Sequence, residues 1–294
     1  MIGLTNVKKK PANYLRFIAE EPSYITLTKV VPSGSNLTYD IKWSRDGRNW
    51  QTLLTSANNV TSNTVSLPKT GDKIYLKGTY SNQNYNNYLQ FIINNGKVAA
   101  SGNINSLLDN NDGSSISALP SYCYQYLFKD CTDLTTAPEL PTTTLANHCY
   151  YFMFSGCSSL KVVPVLPAID LYNDGSYSYA YMFENCTSLT EARILPATRI
   201  SDGTYNNMFE GCTSLVKAPE IFATTGINSH SMSYMFDGCS NLNYIKMHYT
   251  GNFGSYSFLN WVRGVSLTGN FYYNGNSTTR GNDAIPTNWE IHTF

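Results

Sequence analysis

The octapeptide MFENCTSL, residues 182–189, decides the fold because four close copies of it occur elsewhere in the chain. The copies are LFKDCTDL at 127–134, MFSGCSSL at 153–160, MFEGCTSL at 208–215 and MFDGCSNL at 235–242. From one copy to the next, the cysteines are separated by 26, 29, 26 and 27 residues. A fixed period of this length predicts a solenoid of stacked units.

Each unit contains two further patterns. After its last Leu comes a short β-like segment, which Pro141, Pro167 and Pro196 end at one shared place, since proline has no N–H for a neighbouring strand. Upstream, apolar residues recur every four positions, as in Cys123, Leu127 and Cys131, and this spacing predicts a two-turn helix. Such a unit cannot bury its own apolar face, so five units are expected to stack over residues 117–257.

The Phe, Cys and Leu of each octapeptide are the predicted core of the repeats, with the cysteines as buried thiols. They are Phe128, Cys131, Leu134, Phe154, Cys157, Leu160, Phe183, Cys186, Leu189, Phe209, Cys212, Leu215, Phe236, Cys239 and Leu242.

The units resemble the BspA-like leucine-rich repeats, which occur in surface proteins of gut and oral anaerobes and in proteins of their phages. The resemblance covers about half the chain and rests on the five octapeptides. It implies a parallel strand after each Leu, and a role in adhesion rather than catalysis. Surface members usually begin with an export signal, and the start of this sequence shows none, which favours a virion protein.

The rest of the chain divides around the repeats. Residues 14–107 hold seven alternating segments with turn signals between them, which predict a β-sandwich. Residues 1–13 precede it as an arm, and the polar run 108–116 is the predicted linker. Residues 258–294 are rich in aromatic side chains and are expected to cap the last repeat. The predicted fold class is thus mainly β with short helices: a sandwich, a solenoid and an aromatic cap.

Composition excludes several classes of function. The 294 residues include 20 basic and 20 acidic side chains, so the net charge is zero and nucleic acid is an unfavoured partner. The sequence contains no apolar stretch long enough to span a membrane. With 23 Tyr, 13 Phe and 4 Trp, it is instead rich in the aromatic residues typical of binding surfaces.

Motifs for metal binding and catalysis are absent from the sequence. It has no C-x-x-C pair, no H-x-x-x-H pair and no G-x-S-x-G elbow, so no cofactor or metal is predicted. Disulfides or a metal remain the alternative to core thiols for the seven cysteines. A pair of carboxylates would leave no local motif, which keeps a glycan-active hydrolase as a third hypothesis for function. The acidic residues Asp40, Glu139 and Glu220 are more simply interpreted as solvated strand or turn residues.

The candidate ligand-binding residues point outward from the repeat strands. Offset +3 from each octapeptide Leu is small or apolar and is expected to face the core, so offsets +2 and +4 should face out. Offset +4 is proline in three of the five units. The alternative interpretation of these outward positions is an ordinary solvated face without a binding role. The candidates are Thr136, Val162, Glu191, Lys217 and Tyr244 at +2, with Arg193 and Lys246 at +4.

A second candidate surface consists of tyrosines upstream of the cysteines, although packing between coils is the favoured interpretation. These are Tyr122, Tyr124, Tyr126, Tyr150, Tyr151, Tyr177, Tyr179 and Tyr181.

Together these patterns predict a non-enzymatic binding or structural protein. The leading hypothesis is a fibre or adhesin component of a phage virion that contacts the bacterial surface. The alternative is an adhesin of the bacterial cell surface that binds host matrix, glycans or other cells. The expected partner is a protein or glycan on a cell surface, with other virion proteins possible and membrane insertion not expected.

Overall fold

The computed structural model describes residues 12–30, 37–58, 60–82, 84–253 and 256–294. Most of the predicted arm, including Lys8, Lys9 and Lys10, lies outside the described residues.

The N-terminal part consists of two antiparallel sheets that pack face to face. One has the order β8-β1-β6-β3-β4 and the other β5-β2-β7. Alternate side chains are buried along β1, β6 and β7, and the rings of Phe17 and Phe91, one from each sheet, meet at 5.1 Å between centroids. The first seven strands are those that alternation predicts. The strands are β1 (Leu15–Ala19), β2 (Ser23–Val30), β3 (Thr38–Ser44), β4 (Gln51–Thr55), β5 (Ser62–Leu67), β6 (Lys73–Ser81), β7 (Tyr88–Asn94) and β8 (Val98–Ser101).

A short helix, α1 (Ser106–Asp109), leads out of the sheets into the segment predicted as a linker. It is anchored in the sheets because the Ser106 hydroxyl donates to the Leu76 carbonyl at 2.9 Å and accepts from the Leu15 N–H at 3.0 Å. The Asp109 carboxylate then accepts backbone N–H groups from Asn111 and Gly113. The chain therefore turns tightly before the repeats begin.

The helices predicted upstream of each cysteine are wrong. We call each repeat unit of the solenoid a coil. In the first coil, the N–H groups of Tyr124 and Phe128 donate to carbonyls of the next coil, at 2.7 and 2.9 Å. The N–H groups of Leu127 and Cys131 donate three residues back within the same coil. An α-helix uses its N–H groups internally, so it could not form this ladder between coils. We call these segments the turn layer.

A backbone feature of the turn layer explains the four-residue spacing that resembled a helix. Every fourth residue has a positive φ, as at Tyr122 (61°), Tyr126 (59°) and Asp130 (59°). The apolar stripe is buried as a helix stripe would be, although it lies on successive turns. Within the described residues, helices are limited to α1 and a 3₁₀ turn at Tyr256–Phe258.

The core of the solenoid is a stack of equivalent side chains. All fifteen predicted repeat-core residues are buried. The five octapeptide phenylalanines form a column in which successive ring centroids lie 5.3, 5.7, 5.6 and 5.7 Å apart. Phe91 of β7 continues the column at one end, 5.3 Å from Phe128, and Trp261 continues it at the other, 6.2 Å from Phe236.

The cysteine thiols connect neighbouring coils. Each octapeptide Sγ donates to the carbonyl of the phenylalanine one coil earlier, as from Cys157 to Phe128 at 3.1 Å and from Cys186 to Phe154 at 3.2 Å. In the first coil, Cys131 donates to Phe91 at 3.0 Å, so β7 stands where a preceding coil would be. All seven cysteines are buried free thiols.

The strands of the repeats and of the C-terminal segment are short and parallel, and we call them the strand face. Strand β10 pairs with β8, so the first repeat extends an N-terminal sheet. β11 pairs with β9, and β12, β13 and β14 form a three-stranded sheet, while isolated bridges join the coils between them. The strands are β9 (Ala118–Leu119), β10 (Leu134–Thr136), β11 (Thr144–Leu145), β12 (Tyr244–Met247), β13 (Asn270–Tyr273) and β14 (Glu290–His292).

The outward direction predicted for offset +4 is wrong in two units. Pro138 and Pro219 are buried, although Arg193 at the same offset is exposed. Directly after the octapeptides, the strand spans four residues in β12, three in β10 and a single bridged residue in the other units, so the two-residue alternation of a strand does not persist to +4 in most units.

An aromatic cluster closes the C-terminal end. Trp261, Phe271 and Tyr273 are buried against one another, and the Trp261 indole N–H donates to the Ala284 carbonyl at 2.7 Å. Within the described ranges, no helix has the length and apolar character needed to cross a bilayer.

The burial of the thiols generates a first prediction. Desolvation raises the pKa of Cys157 and Cys186, which disfavours the reactive thiolate. A maleimide should therefore label the octapeptide cysteines slowly in the native protein and fully in urea, as measured by mass spectrometry. Rapid native labelling of these five sites would contradict the thiol ladder.

The phenylalanine column generates a second prediction. Phe183→Ala removes a fully buried ring from the middle coil and should lower the free energy of unfolding by about 3–5 kcal/mol. Chemical denaturation followed by circular dichroism measures this change. A loss below about 1 kcal/mol is incompatible with a packed column at this position.

Candidate binding surfaces

The seven predicted ligand-binding residues all lie on the strand face, but they fall into two groups. Thr136, Val162 and Arg193 line a groove at the N-terminal half, and Glu191 is bridged to Val162 beside it. The other three, Lys217, Tyr244 and Lys246, lie together at the C-terminal half. The strand face therefore carries two chemically different surfaces.

The first surface, the strand-face groove, is mainly apolar and has a volume of about 570 Å³. Four prolines contribute to its lining: Pro138, Pro141, Pro164 and Pro167. The strand predicted to end at Pro141 ends earlier, because β10 stops at Thr136. The Arg193 side chain closes one end, where its Nε donates to the Val163 carbonyl at 3.1 Å. Val165, which lines the groove, is 59% exposed.

The second surface is a cluster of charges and rings. The Lys217 ammonium lies 4.5 Å from the centroid of the Tyr244 ring, which is itself 4.9 Å from Tyr272. Next to them, Glu220 accepts from Lys246 at 2.9 Å and from His248 at 2.8 Å. The charge of Lys246 is thus partly neutralised in place.

The Glu220 carboxyl is the electrostatic centre of this cluster. Partial burial acts to raise its pKa, but hydrogen bonds from His248 and Lys246 outweigh burial and hold the pKa below its ordinary value. The ionised carboxylate is therefore stabilised in the folded protein.

Sequence reasoning missed several members of the second surface. His248 and His292 are unrelated in sequence, yet His248 directly follows β12 and His292 ends β14, the two outer strands of one sheet. His292 stacks on Tyr272 of the middle strand, β13, at 4.7 Å. Glu220 was expected to be a solvated strand or turn residue rather than a paired one. The grouping of these residues follows from the stacking of coils, and no local sequence motif indicates it.

The predicted tyrosine surface divides by depth. Tyr124, Tyr150 and Tyr179 are buried and stack at 6.0 and 5.8 Å between ring centroids. The other five are half-buried, and four of them belong to two outer columns of rings at positions of positive φ. The first column is Tyr122, His148 and Tyr177, and the second is Tyr126, Phe152 and Tyr181.

The outer columns are closely packed. Successive rings lie 5.2 and 5.1 Å apart in the first column, and 5.4 and 4.2 Å apart in the second. Burial lowers the pKa of His148, so the neutral imidazole is favoured in its stack. Packing between coils thus accounts for most of the tyrosines, as the favoured interpretation expected.

Acidic and metal-ligating side chains of the described residues are dispersed or paired. In the part of the chain that the structure describes, no three His, Cys, Asp or Glu side chains are grouped to hold a metal ion. Two of the acidic residues open to a catalytic interpretation are paired, Asp40 with Lys42 at 3.2 Å and Glu139 with the Asn13 amide at 2.6 Å.

The fold and these surfaces define a solenoid protein with a regular scaffold and varied surface side chains. Comparison with known families identifies the repeats: residues 121–263 match the BspA type leucine-rich repeat region in six copies, so this part of the chain is a BspA-type repeat region. Leucine-rich repeat proteins of this kind typically act in binding or adhesion, usually without catalysis. The matched region ends at residue 263 and so includes Trp261, in the segment assigned to the cap. No curated protein and no solved structure matches the chain.

The pairing at Glu220 generates a third prediction. Because its pKa is lower in the folded state, ionised Glu220 contributes stability at neutral pH, and this contribution is lost as pH falls through the folded pKa. Glu220→Gln should cost less than about 1 kcal/mol at pH 7, since the pair is partly exposed.

Urea unfolding of wild type and Glu220→Gln across pH 3–7 measures the difference, which should shrink towards acid pH. A difference that is constant across this range would contradict the pairing.

Proposed function

We propose that this chain is a non-enzymatic recognition protein, a fibre or adhesin component of a phage virion, which contacts a partner on the bacterial surface through the strand face. The BspA-type repeats support the binding role. The virion assignment rests on the occurrence of such repeats in phage proteins. A bacterial surface adhesin is the alternative, and capsid and tail genes beside this gene would favour the virion.

The observation that carries the binding role is exposed apolar surface on the strand face. Val165 and Ile194, at the same offset in adjacent coils, are 59% and 55% exposed, and Val165 lines the strand-face groove. Single exposed apolar residues are ordinary, but apolar residues contiguous with a groove of this size are typical of an interaction site. The apolar, proline-lined surface is suited to a protein partner.

The neighbouring residues suit such a site. Arg193 and Glu191 are exposed beside the apolar surface and can form the polar rim that surrounds an interface core. The backbone beneath is held by bridges between coils, as between Val162 and Glu191, so binding requires little reordering.

The fourth prediction tests this surface by charge. In Val165→Glu combined with Ile194→Glu, two carboxylates would be desolvated on binding, so attachment to host cells should fall at least about tenfold. Labelled protein bound to cells, counted by flow cytometry, measures attachment. Leu267→Glu, at an apolar side chain 82% exposed in the C-terminal segment, is the matched control and should bind as wild type.

Neither variant should change the free energy of unfolding by more than about 0.5 kcal/mol, because the altered positions are exposed. Glu191→Ala combined with Lys217→Ala tests the polar residues of the same face and should also weaken attachment. If both double variants attach like wild type while the protein itself binds cells, the strand face is not the binding surface.

A further inference from the structure

The second outer column of the turn layer is interrupted at one coil. Its rings run through Tyr126, Phe152 and Tyr181, and the equivalent position in the next coil is Asn207. The column resumes one coil later at Tyr234. All five residues have the same positive φ, between 53° and 59°, so the backbone continues while one ring is missing.

The missing ring leaves an open cavity of about 480 Å³ at that coil, which we call the slot. Tyr181 and Tyr234 line the slot, and Asn207 belongs to the coil between theirs. The centroids of the rings on either side of Phe152 lie 5.4 and 4.2 Å from its own centroid. Where one ring of the column is missing, the two flanking rings, Tyr181 and Tyr234, are therefore separated by about two such distances. That separation admits one flat ring at stacking distance from both walls.

The first column forms the side of the slot. In the coil that contains Asn207, the position of the first column is occupied by Gly203. A Cβ at residue 203 would lie 2.2 Å from the Tyr177 ring. The Tyr177 ring therefore lies over the glycine, and it lines the same cavity. A side chain at residue 203 would push this ring away, so glycine is needed for the shape of the slot.

Polar groups complete the lining. Glu210 accepts a hydrogen bond from the Asn207 amide, and both residues line the slot. Arg263 bonds Asp237 through two of its N–H groups, while its half-exposed side chain lines the cavity and lies 5.8 Å from the Tyr234 ring centroid. Its further N–H donors and the Glu210 carboxylate provide a donor and an acceptor side by side.

This combination of groups identifies the class of ligand. A pyranose has C–H groups on its faces, which suit the negative faces of aromatic rings, and hydroxyls at its edge, which both donate and accept. The Glu210 carboxylate disfavours phosphates by like charge, which argues against a nucleotide. We propose that the slot between Tyr181 and Tyr234 binds a single pyranose ring of a glycan, at a site separate from the strand face.

The decisive variant is Asn207→Tyr, which restores the missing ring. Positions 126, 152, 181 and 234 carry aromatic rings with the same backbone conformation, so the substitution suits the fold. It should weaken sugar binding about tenfold or more, because the new ring takes the place of the ligand. Asn260→Tyr is the matched control: residue 260 is the next position of the column beyond Tyr234, with φ of 51°, and leaves the slot open.

Saturation-transfer NMR with methyl pyranosides of glucose, galactose, mannose, fucose and N-acetylglucosamine, each at millimolar concentration, measures binding. We expect saturation of at least one sugar by wild type and Asn260→Tyr, and its loss in Asn207→Tyr and in Tyr234→Ala, which removes one wall. Adenosine is the flat aromatic control.

Three results would overturn the proposal: no sugar saturated by wild type, equal saturation in Asn207→Tyr, or saturation of adenosine alone. Thermal melting identifies a variant that fails to fold, in which case Tyr234→Ala decides the result. The strand-face variant at Val165 and Ile194 should still bind sugar, so failure of the slot and failure of the strand face are distinguishable.

Discussion

The backbone hydrogen bonds between successive turn layers are the constraint on which the solenoid depends. Alternate N–H groups reach carbonyls one coil away, as from Phe128 to Met153 at 2.9 Å, so the coils are held at a spacing close to that of paired strands. At that spacing equivalent side chains must stack on one another. The phenylalanine column, the thiols bonded to its carbonyls and the outer aromatic columns all follow from it.

The same spacing explains how the solenoid ends. An exposed terminal coil would leave its Phe ring and part of its backbone without neighbours: the carbonyls in the first coil and the N–H donors in the last. At the N-terminal end, β7 supplies both, because Phe91 donates its N–H to the Leu127 carbonyl and stacks on Phe128. At the other end, the ring of Trp261 lies 6.2 Å from that of Phe236 and covers the end of the column. The N-terminal sheets are therefore joined to the repeats through shared packing as well as through the chain.

Local sequence patterns predict those features that a single coil determines. The octapeptides indicate the repeats and their core positions, and alternation indicates seven of the strands. The turn layer resembles a helix in sequence because its apolar residues recur every four positions. In the structure, its backbone N–H groups donate alternately to carbonyls of the same coil and to carbonyls of the next coil. The grouping of Glu220 with His248 depends on the register of neighbouring coils, which contain different numbers of residues, and no motif within one coil reveals it.

Variation at fixed positions is how such a scaffold can acquire specificity, and the slot is an instance in which variation has a measurable cost. An aromatic residue at position 207 would stack on both neighbours, and a ring pair contributes about 0.5–1.5 kcal/mol beyond its buried area. The bond between Asn207 and the Glu210 carboxylate involves a charged group and contributes about 1.5–3 kcal/mol net, which is comparable with two such pairs. The vacant position thus exchanges ring stacking for one polar bond, and the stacking forgone within the protein is what a bound ring would regain.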